Sequence, residues 1–385
     1  MLCESTKCTG CCACRNVCPR SAIEMKMDEF GFYHPSVDDA LCIQCGLCEK
    51  ACPELHPVEK RSAETVYAIY ATNERVRASS TSGGLAQVLC GAALEMGWVV
   101  YSHAFTDQFE LKCHRITSEN QLKKANGTKY VQSFIGDAIK QLRKDLKEGK
   151  HVVFVGTPCQ VAGVENAVKP LSANLLTVSF VCGGVPSNKF FLEHISNQRL
   201  DELDNFHFRD NNQYGLYGFS GEQLALYEER WTSEYFIGFD EHVTQRKCCY
   251  SCRYASPNRV GDITIGDFWG IEATNTSIDC LEKGVSLCLI TTQKGRQMIE
   301  LCKKSDLIYM EEHVFAEATQ KNPRLLSPVA WNEQAEKFRT QYLRVGFDKA
   351  IKKMYGPKYA VMRLKRMVKK IKILDVIYHR VKKHD

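Results

Sequence analysis

The chain contains no apolar stretch of the length that crosses a bilayer. Its first residues, MLCESTKC, lack the basic-then-apolar layout of a secretory leader. Both absences lead to the expectation of a cytoplasmic protein, in a compartment where cysteines stay reduced. No G-x-G-x-x-G run follows an apparent strand, and no Walker A run occurs. A standard dinucleotide fold and a P-loop are therefore unsupported. A basic body is missing too. From Lys349 onward 13 Lys and Arg face 2 acidic residues, while the whole chain balances at only +6, so the part before Lys349 is mildly acidic. Nucleic acid is not an expected partner of such a body.

What the sequence has in abundance is cysteine, 20 in 385 residues. Under reducing conditions that density means metal or redox chemistry rather than disulfides. The spacing is specific. Cys8-x2-Cys11-x2-Cys14-x3-Cys18-Pro19 returns 34 residues later as Cys42-x2-Cys45-x2-Cys48-x3-Cys52-Pro53. Three thiolates at this spacing wrap one cubane, and the cysteine before the proline reaches the other cluster. One 4Fe–4S centre is thus expected on Cys8, Cys11, Cys14 and Cys52, and another on Cys42, Cys45, Cys48 and Cys18. Zinc sites favour two separated pairs over such triplets. Cys3 and Cys12 read as spare thiols, and Cys12 has Gly46 as its counterpart in the second copy.

The chain divides, by texture, into a two-cluster ferredoxin-like domain (1–57), the first part of a cofactor-binding body (65–148), a second part carrying further cysteines (149–345) and a basic tail (346–385). HPVEKRSAE, from His56, reads as a polar linker. TVYAIYAT, WVVYSHAF, DITIGDF and GVSLCLIT read as strands, and HVVFVG and ANLLTVSFV as buried parallel ones. GGLAQVLCGAALEMG and GDAIKQLRKDLKEG read as helices. The fold class is α/β with mixed and parallel strands behind the ferredoxin-like segment.

In the body, Thr157 suits a helix N-cap and Pro158 the first turn, which puts Cys159 near a helix N-terminus, where a thiolate is stabilised. Cys182 ends a second strand. If the strands are parallel, both lie at the edge where α/β proteins place their sites. Cys249-x2-Cys252 has a metal-binding bite, with Cys248 beside it. Cys159, Cys182, Cys249 and Cys252 can hold a third 4Fe–4S cluster. Alternatively, the first two are small buried residues and the late pair binds zinc or nothing. A reactive thiol at Cys159 is disfavoured, because no second cysteine stands at x2 spacing. Cys90, Cys113, Cys280, Cys288 and Cys302 are expected in the core.

Two polar segments invite an organic cofactor. Ser80, Thr81, Ser82, Gly83 and Gly84 precede a helix whose N–H groups favour an anion such as a pyrophosphate. Lys129, Tyr130 and Gln132, in NGTKYVQS, suit stacking and hydrogen bonding on a flat heterocycle. A capped helix start and a polar loop are the plain alternatives.

Together SSTSGG, GTKYVQS, GTPCQVAGV, CGGVPS, FRDNNQYG, CYSCRYASPNRVGDITIGDFWG and NPRLLSP resemble the family of beta subunits of coenzyme F420 hydrogenases and dehydrogenases, over about Cys8 to Pro328. The resemblance implies FAD and an intrinsic cubane in the body. By motif, that cluster falls on Cys159, Cys182, Cys249 and Cys252, and the flavin on Ser80–Gly84 and Lys129–Ser133. Asp262, Asp267 and Trp269 would border the same cavity; otherwise they are a polar strand edge and a core tryptophan. The implied activity is that of an iron–sulfur flavoprotein oxidoreductase, with ferredoxin or another redox protein as electron partner and hydride exchange with a small organic molecule. The rival is a non-catalytic electron-transfer subunit. In the tail, Leu364, Met367, Val368, Ile371, Leu374, Tyr378 and Val381 recur at helical spacing among Arg363, Lys365, Arg366, Lys369, Lys370 and Lys372. Such a helix suits the inner membrane surface, a partner, or the acidic body itself.

Overall fold

The computed structural model describes residues 2–196, 203–210 and 213–381, with the backbone alone for 367–381. Asn211 and Asn212 of FRDNNQYG lie outside the described residues, as do the side chains of Met367, Val368, Lys369, Lys370, Ile371, Lys372, Leu374, Tyr378 and Val381.

The front segment holds a hairpin, β1 (Ile23–Met27) and β2 (Tyr33–Val37), and two short helices, Ala13–Val17 and Leu47–Ala51. The repeat shows in the backbone. Cys12 (φ 60°) and Gly46 (φ 70°) begin the two helices in the same left-handed conformation. Glycine adopts it freely, whereas the buried Cys12 bears the steric cost of a Cβ there.

Behind it stands an eight-stranded sheet. Its members are β3 (Thr65–Ala71), β4 (Val99–Phe105), β5 (Leu111–Ile116), β6 (Val152–Gly156), β7 (Leu175–Phe180), β11 (Ile263–Asp267), β12 (Ser286–Ile290) and β13 (Ile308–His313), in the order β13-β3-β12-β11-β7-β6-β4-β5. β11, β7, β6 and β4 are parallel neighbours, and the flanking pairs are antiparallel. The short apolar runs have a simple cause: both sheet faces are covered. Val153 and Val155 of β6 pack on the side of helix Leu85–Glu95, Val152 and Phe154 on the side of helices Ala138–Lys147 and Pro158–Val168.

A second core was not visible in the sequence. The antiparallel strands β8 (Asn205–Asp210), β9 (Gln213–Ser220) and β10 (Gln223–Glu229) cover an aromatic cluster that includes Phe190, Phe191, Phe206, Phe208, Tyr235 and Phe338. Helix Phe347–Val381 begins inside this cluster, burying Phe347, Ala350, Ile351, Tyr355 and Tyr359. Farther along, Arg363 donates to the carbonyls of Trp231 and Thr232, and Arg366 lies 4.4 Å over the Trp231 ring. As far as Arg366, the basic segment is folded back on the body.

The expected core cysteines divide. Cys90, Cys288 and Cys302 are buried and Cys113 is partly so, but Cys280 is exposed. Its backbone is left-handed, at φ 56°, in a loop rather than a strand or helix. The linker is also more ordered than its composition suggests. Arg61 and Arg259 exchange backbone hydrogen bonds of 2.8 and 2.7 Å, which zips the linker to the body.

Gly83 has a packing reason to be glycine. A Cβ there would lie 2.3 Å from the Ile69 carbonyl oxygen and 2.6 Å from the Ser286 amide nitrogen, both backbone atoms of the sheet. Gly83→Ala should therefore destabilise the fold by roughly 1–3 kcal/mol, with or without any cofactor. Thermal unfolding of the cofactor-free chain checks this, and an unchanged midpoint would show that the loop yields freely.

Candidate functional site

Cys8, Cys11, Cys14 and Cys52 line one small cavity, together with Cys3, Cys12 and Glu54. The last cysteine of the second copy thus meets the first three of the first. Reciprocally, Cys18 lies close enough to Cys48 that its charge, after burial, helps to push the Cys48 thiol up. The two groups differ in depth. Cys8, Cys11 and Cys52 are buried, whereas Cys45 is exposed and Cys42 and Cys48 are half-buried. Leu41, Ile43 and Leu47 stand exposed around the outer group.

In the body, Thr157 and Gln160 form a capping box, and Pro158 opens helix Pro158–Val168. Cys159 follows, its sulfur 3.2 Å from the Thr157 hydroxyl. Cys182 leaves β7 at the same sheet edge, and the turn Lys247–Ser251 carries Cys249 toward both. Cys159, Cys182, Cys249 and Cys252 line one cavity of about 60 Å³, with Cys248 as a fifth thiol. That volume is far below the few hundred Å³ of an organic-cofactor pocket. Among the described residues, no three of these sulfurs approach within 4.8 Å of one another, the closeness that a single ion such as zinc demands. A donor set of four spread thiols fits a four-iron core. Burial pushes Cys182 up to about 12, so that thiol keeps its proton until metal uptake releases it, whereas a hydrogen bond from Cys248 pulls Cys249 down.

The two thiol cavities adjoin. A Cβ on Gly163, one turn beyond Cys159, would lie 2.8 Å from the Cys11 sulfur, so its absence lets the front module sit directly on the Cys159 helix. Thr9 and Glu54 line both cavities. Arg246 completes the joint, donating to the Cys8 and Tyr33 carbonyls at 2.7 Å each and to the Gln132 side chain at 3.2 Å.

The polar segments meet as well. Asn126 Nδ2 donates to the Ser79 carbonyl at 2.7 Å, and the Thr81 and Thr128 hydroxyls lie 2.7 Å apart. Ser80 and Ser82 donate to the carbonyls of Val76 and Val285. Gly84 starts helix Leu85–Glu95. Lys129 is internal, its ammonium bonded to the carbonyls of Ala125, Asn126 and Gly127, and burial lowers it to about 7. Tyr130 packs among Phe208, Tyr214, Phe236 and Phe239. Gln132 and Ser133 reach the body thiol cavity, and Ser133 is also bonded to the buried His103 at 2.6 Å. At the end of β11, Asp267 pairs with Arg209 at 2.8 Å, and Trp269 is 45% exposed rather than in a core. Asp262 stands apart. It precedes β11 at the opposite end of that strand, where its carboxylate accepts from the Thr177 amide and hydroxyl and from Thr292. That is a structural tie between strands, away from the thiol cavity.

Residues 149–314 match the family described as the C terminus of the coenzyme F420 hydrogenase/dehydrogenase beta subunit, and residues 7–55 match the 4Fe-4S dicluster domain. The chain is 23% identical over 162 residues to a subunit of the F(420)H(2) dehydrogenase of Methanosarcina mazei, over 40% of this chain and 46% of the relative. It therefore spans about half the length of that curated relative. An uncharacterized protein of Methanocaldococcus jannaschii is 23% identical over 361 residues, 83% of this chain and 92% of the relative. A chain of the F420-reducing NiFe hydrogenase complex from Methanosarcina barkeri aligns over 69% of this chain and 91% of its own, at 18% identity and a TM-score of 0.49. The front domain makes this relative of the beta subunits an iron–sulfur protein.

Sequence reasoning passed over Arg246 and Arg259, which line the body thiol cavity, and over Glu54 in the wall between cavities. Their only sequence signal is position: the arginines flank the CYSC run on either side. The crossed placement of the front thiols has a direct check. Cys52→Ser should cost about four irons from the inner, buried centre, and Cys18→Ser about four from the outer one. Iron analysis with EPR would read this, and loss of the same centre in both variants would refute the crossing.

Proposed function

We propose that the protein is an iron–sulfur flavoprotein oxidoreductase of the cytoplasm that links a one-electron protein partner to hydride exchange with a small organic molecule. Clusters supply one-electron transfer, and FAD couples it to two-electron chemistry. The observation that carries the reading is the contact of Cys11 with Gly163, which sets the inner front cavity against the helix that bears Cys159. The ligands we assign are Cys42, Cys45, Cys48 and Cys18 outside, Cys8, Cys11, Cys14 and Cys52 within, and Cys159, Cys182, Cys249 and Cys252 in the body. The exposed Cys45, ringed by Leu41, Ile43 and Leu47, suits a ferredoxin or similar redox partner.

For FAD we assign the edge where Ser80–Gly84 and Lys129–Ser133 meet. Backbone N–H groups at the start of helix Leu85–Glu95 favour a pyrophosphate, and the buried Lys129 adds a positive charge when protonated. Gln132 and Ser133 join this edge to the thiol cavity. Asp267, held by Arg209, would border it. A second reading, an electron-transfer subunit without flavin, is favoured by one observation: Ser80, Thr81 and Ser82 already have protein partners.

Anaerobic purification separates the two. The flavoprotein reading expects about 12 irons and one FAD per chain, with Cys159→Ser losing about four irons and slowing reduction of the flavin by ferredoxin. About 12 irons with no flavin would leave the second reading.

No helix among the described residues is long and apolar enough to cross a membrane. For the basic helix beyond Arg366 we propose contact with an anionic membrane surface or a partner. Anionic vesicles should float the full chain and leave behind one ending at residue 366. Equal flotation of both would remove the tail from membrane binding.

A further inference from the structure

Arg246 and Arg259 are the largest side chains that are fully buried, 2% and 1% exposed, and both line the body thiol cavity. Of the other well-buried arginines, Arg209 pairs with Asp267 and Arg339 lies 3.9 Å from Glu336, while Arg77 bonds the Gly284 and Cys280 carbonyls and lies over the Tyr70 ring, away from both thiol cavities. Arg259 instead donates only to neutral oxygens. These are the carbonyls of Tyr254 (2.8 Å), Ser256 (3.1 Å) and Phe180 (3.4 Å), and the Thr264 hydroxyl (3.5 Å). Arg246 spends its donors on the Cys8 and Tyr33 carbonyls, Gln132 and His34; its nearest carboxylate, Asp28, bonds His34 rather than the guanidinium, though the Arg246 charge still helps to lower it.

A buried cation without a counter-charge is strongly unfavourable, by several kcal/mol for each ion moved out of water. Two in the wall of a cavity lined by thiols, with the less buried Arg253 and Arg324 beside them, suit an anion inside it. Four thiolates around a cubane core leave roughly two net negative charges, the complement of two guanidinium groups. The placement is divided between them. Both line the body cavity, and Arg246 also bonds the Cys8 carbonyl of the inner front group. A guanidinium stays charged at neutral pH in a protein.

We propose that Arg259 is a positioning residue for electron transfer, a buried counter-charge that raises the reduction potential of a cluster held by Cys159, Cys182, Cys249 and Cys252, and that Arg246 does the same for this cluster and the inner front one together. The inference rests on the cluster assignment made under the proposed function. One electron arriving at the cluster adds one negative charge and no proton. A fixed cation in a low-dielectric wall favours that more negative state. Arg259 touches one cavity, whereas Arg246 bridges two, so their removal should leave different signatures.

The test is an EPR-monitored redox titration of anaerobically prepared full-length protein, with dithionite as electron source and the body signal identified by its loss in Cys159→Ser. Arg259→Gln should lower the body midpoint by at least tenfold in the reduction equilibrium, about 59 mV for one electron, and leave the front pair unmoved. Arg246→Gln should lower the body and inner front midpoints together. Arg259→Lys, which keeps the charge, should hold the body midpoint near that of the unaltered protein. If the Gln variant loses the body cluster outright while the Lys variant keeps it, the counter-charge role also stands. An unmoved midpoint in Arg259→Gln, equal shifts in the Gln and Lys variants, or cluster loss from both would overturn it. An unaltered protein with only about eight irons would instead refute the body-cluster assignment itself.

Discussion

The joint between front module and body rests on a single buried guanidinium. Arg246 holds the carbonyl of Cys8 and that of Tyr33, and through Gln132 it also fixes the loop at Thr9, which Gln132 binds at 3.0 Å. Hydrogen bonds to a buried charge contribute about 1.5–3 kcal/mol each, so this one side chain outweighs several ordinary surface contacts. Around it, Cys11 presses on Gly163, Asn16 bonds the Gly136 carbonyl at 2.8 Å, and the linker pairs with Arg259. The front module is thereby packed directly on the sheet edge.

That joint also breaks the symmetry of the repeat. Two copies with nearly the same spacing end in different surroundings: the first seats Cys11 on Gly163 of helix Pro158–Val168, while the second meets the body only through its last residues, around Ala51. Its thiols are buried, and the second copy's are turned outward with Cys45 exposed. An inner and an outer centre follow from docking geometry, not from anything in the two motifs. The direction from surface to sheet edge is thus a property of the assembled chain.

Much of this was legible in advance. The cysteine spacing called for two crossed front centres, and thiols of the two copies do share one cavity. Thr157 and Pro158 called for a helix start under Cys159, and the capping box is there. The parallel strands were legible because a strand covered on both faces must be apolar along its whole length. Less legible were Cys280, which the apolar stretch after it made look internal, and Asp262, whose motif neighbours lie at the other end of its strand. The strands β8 to β10 went unread although Phe206 and Phe208 alternate with polar neighbours and Ser220-Gly221 is a turn signal; the aromatic core beneath them gathers segments as distant as Phe190, Tyr235 and Phe338.

By itself, then, the sequence determined the things that depend on short range: thiol spacing, helix starts, and the burial pattern of single strands. Those are set by backbone geometry over a few residues. Only the tertiary structure decided which thiols share a cavity, that Cys11 lies one helical turn from Cys159, and that two arginines 13 residues apart are buried beside the same cavity with no carboxylate bonded to either. The physical reason is that a buried charge is defined by what surrounds it on every side. Its surroundings come from segments as distant as Cys8, Gln132, Phe180 and Tyr254, and no local pattern records their meeting.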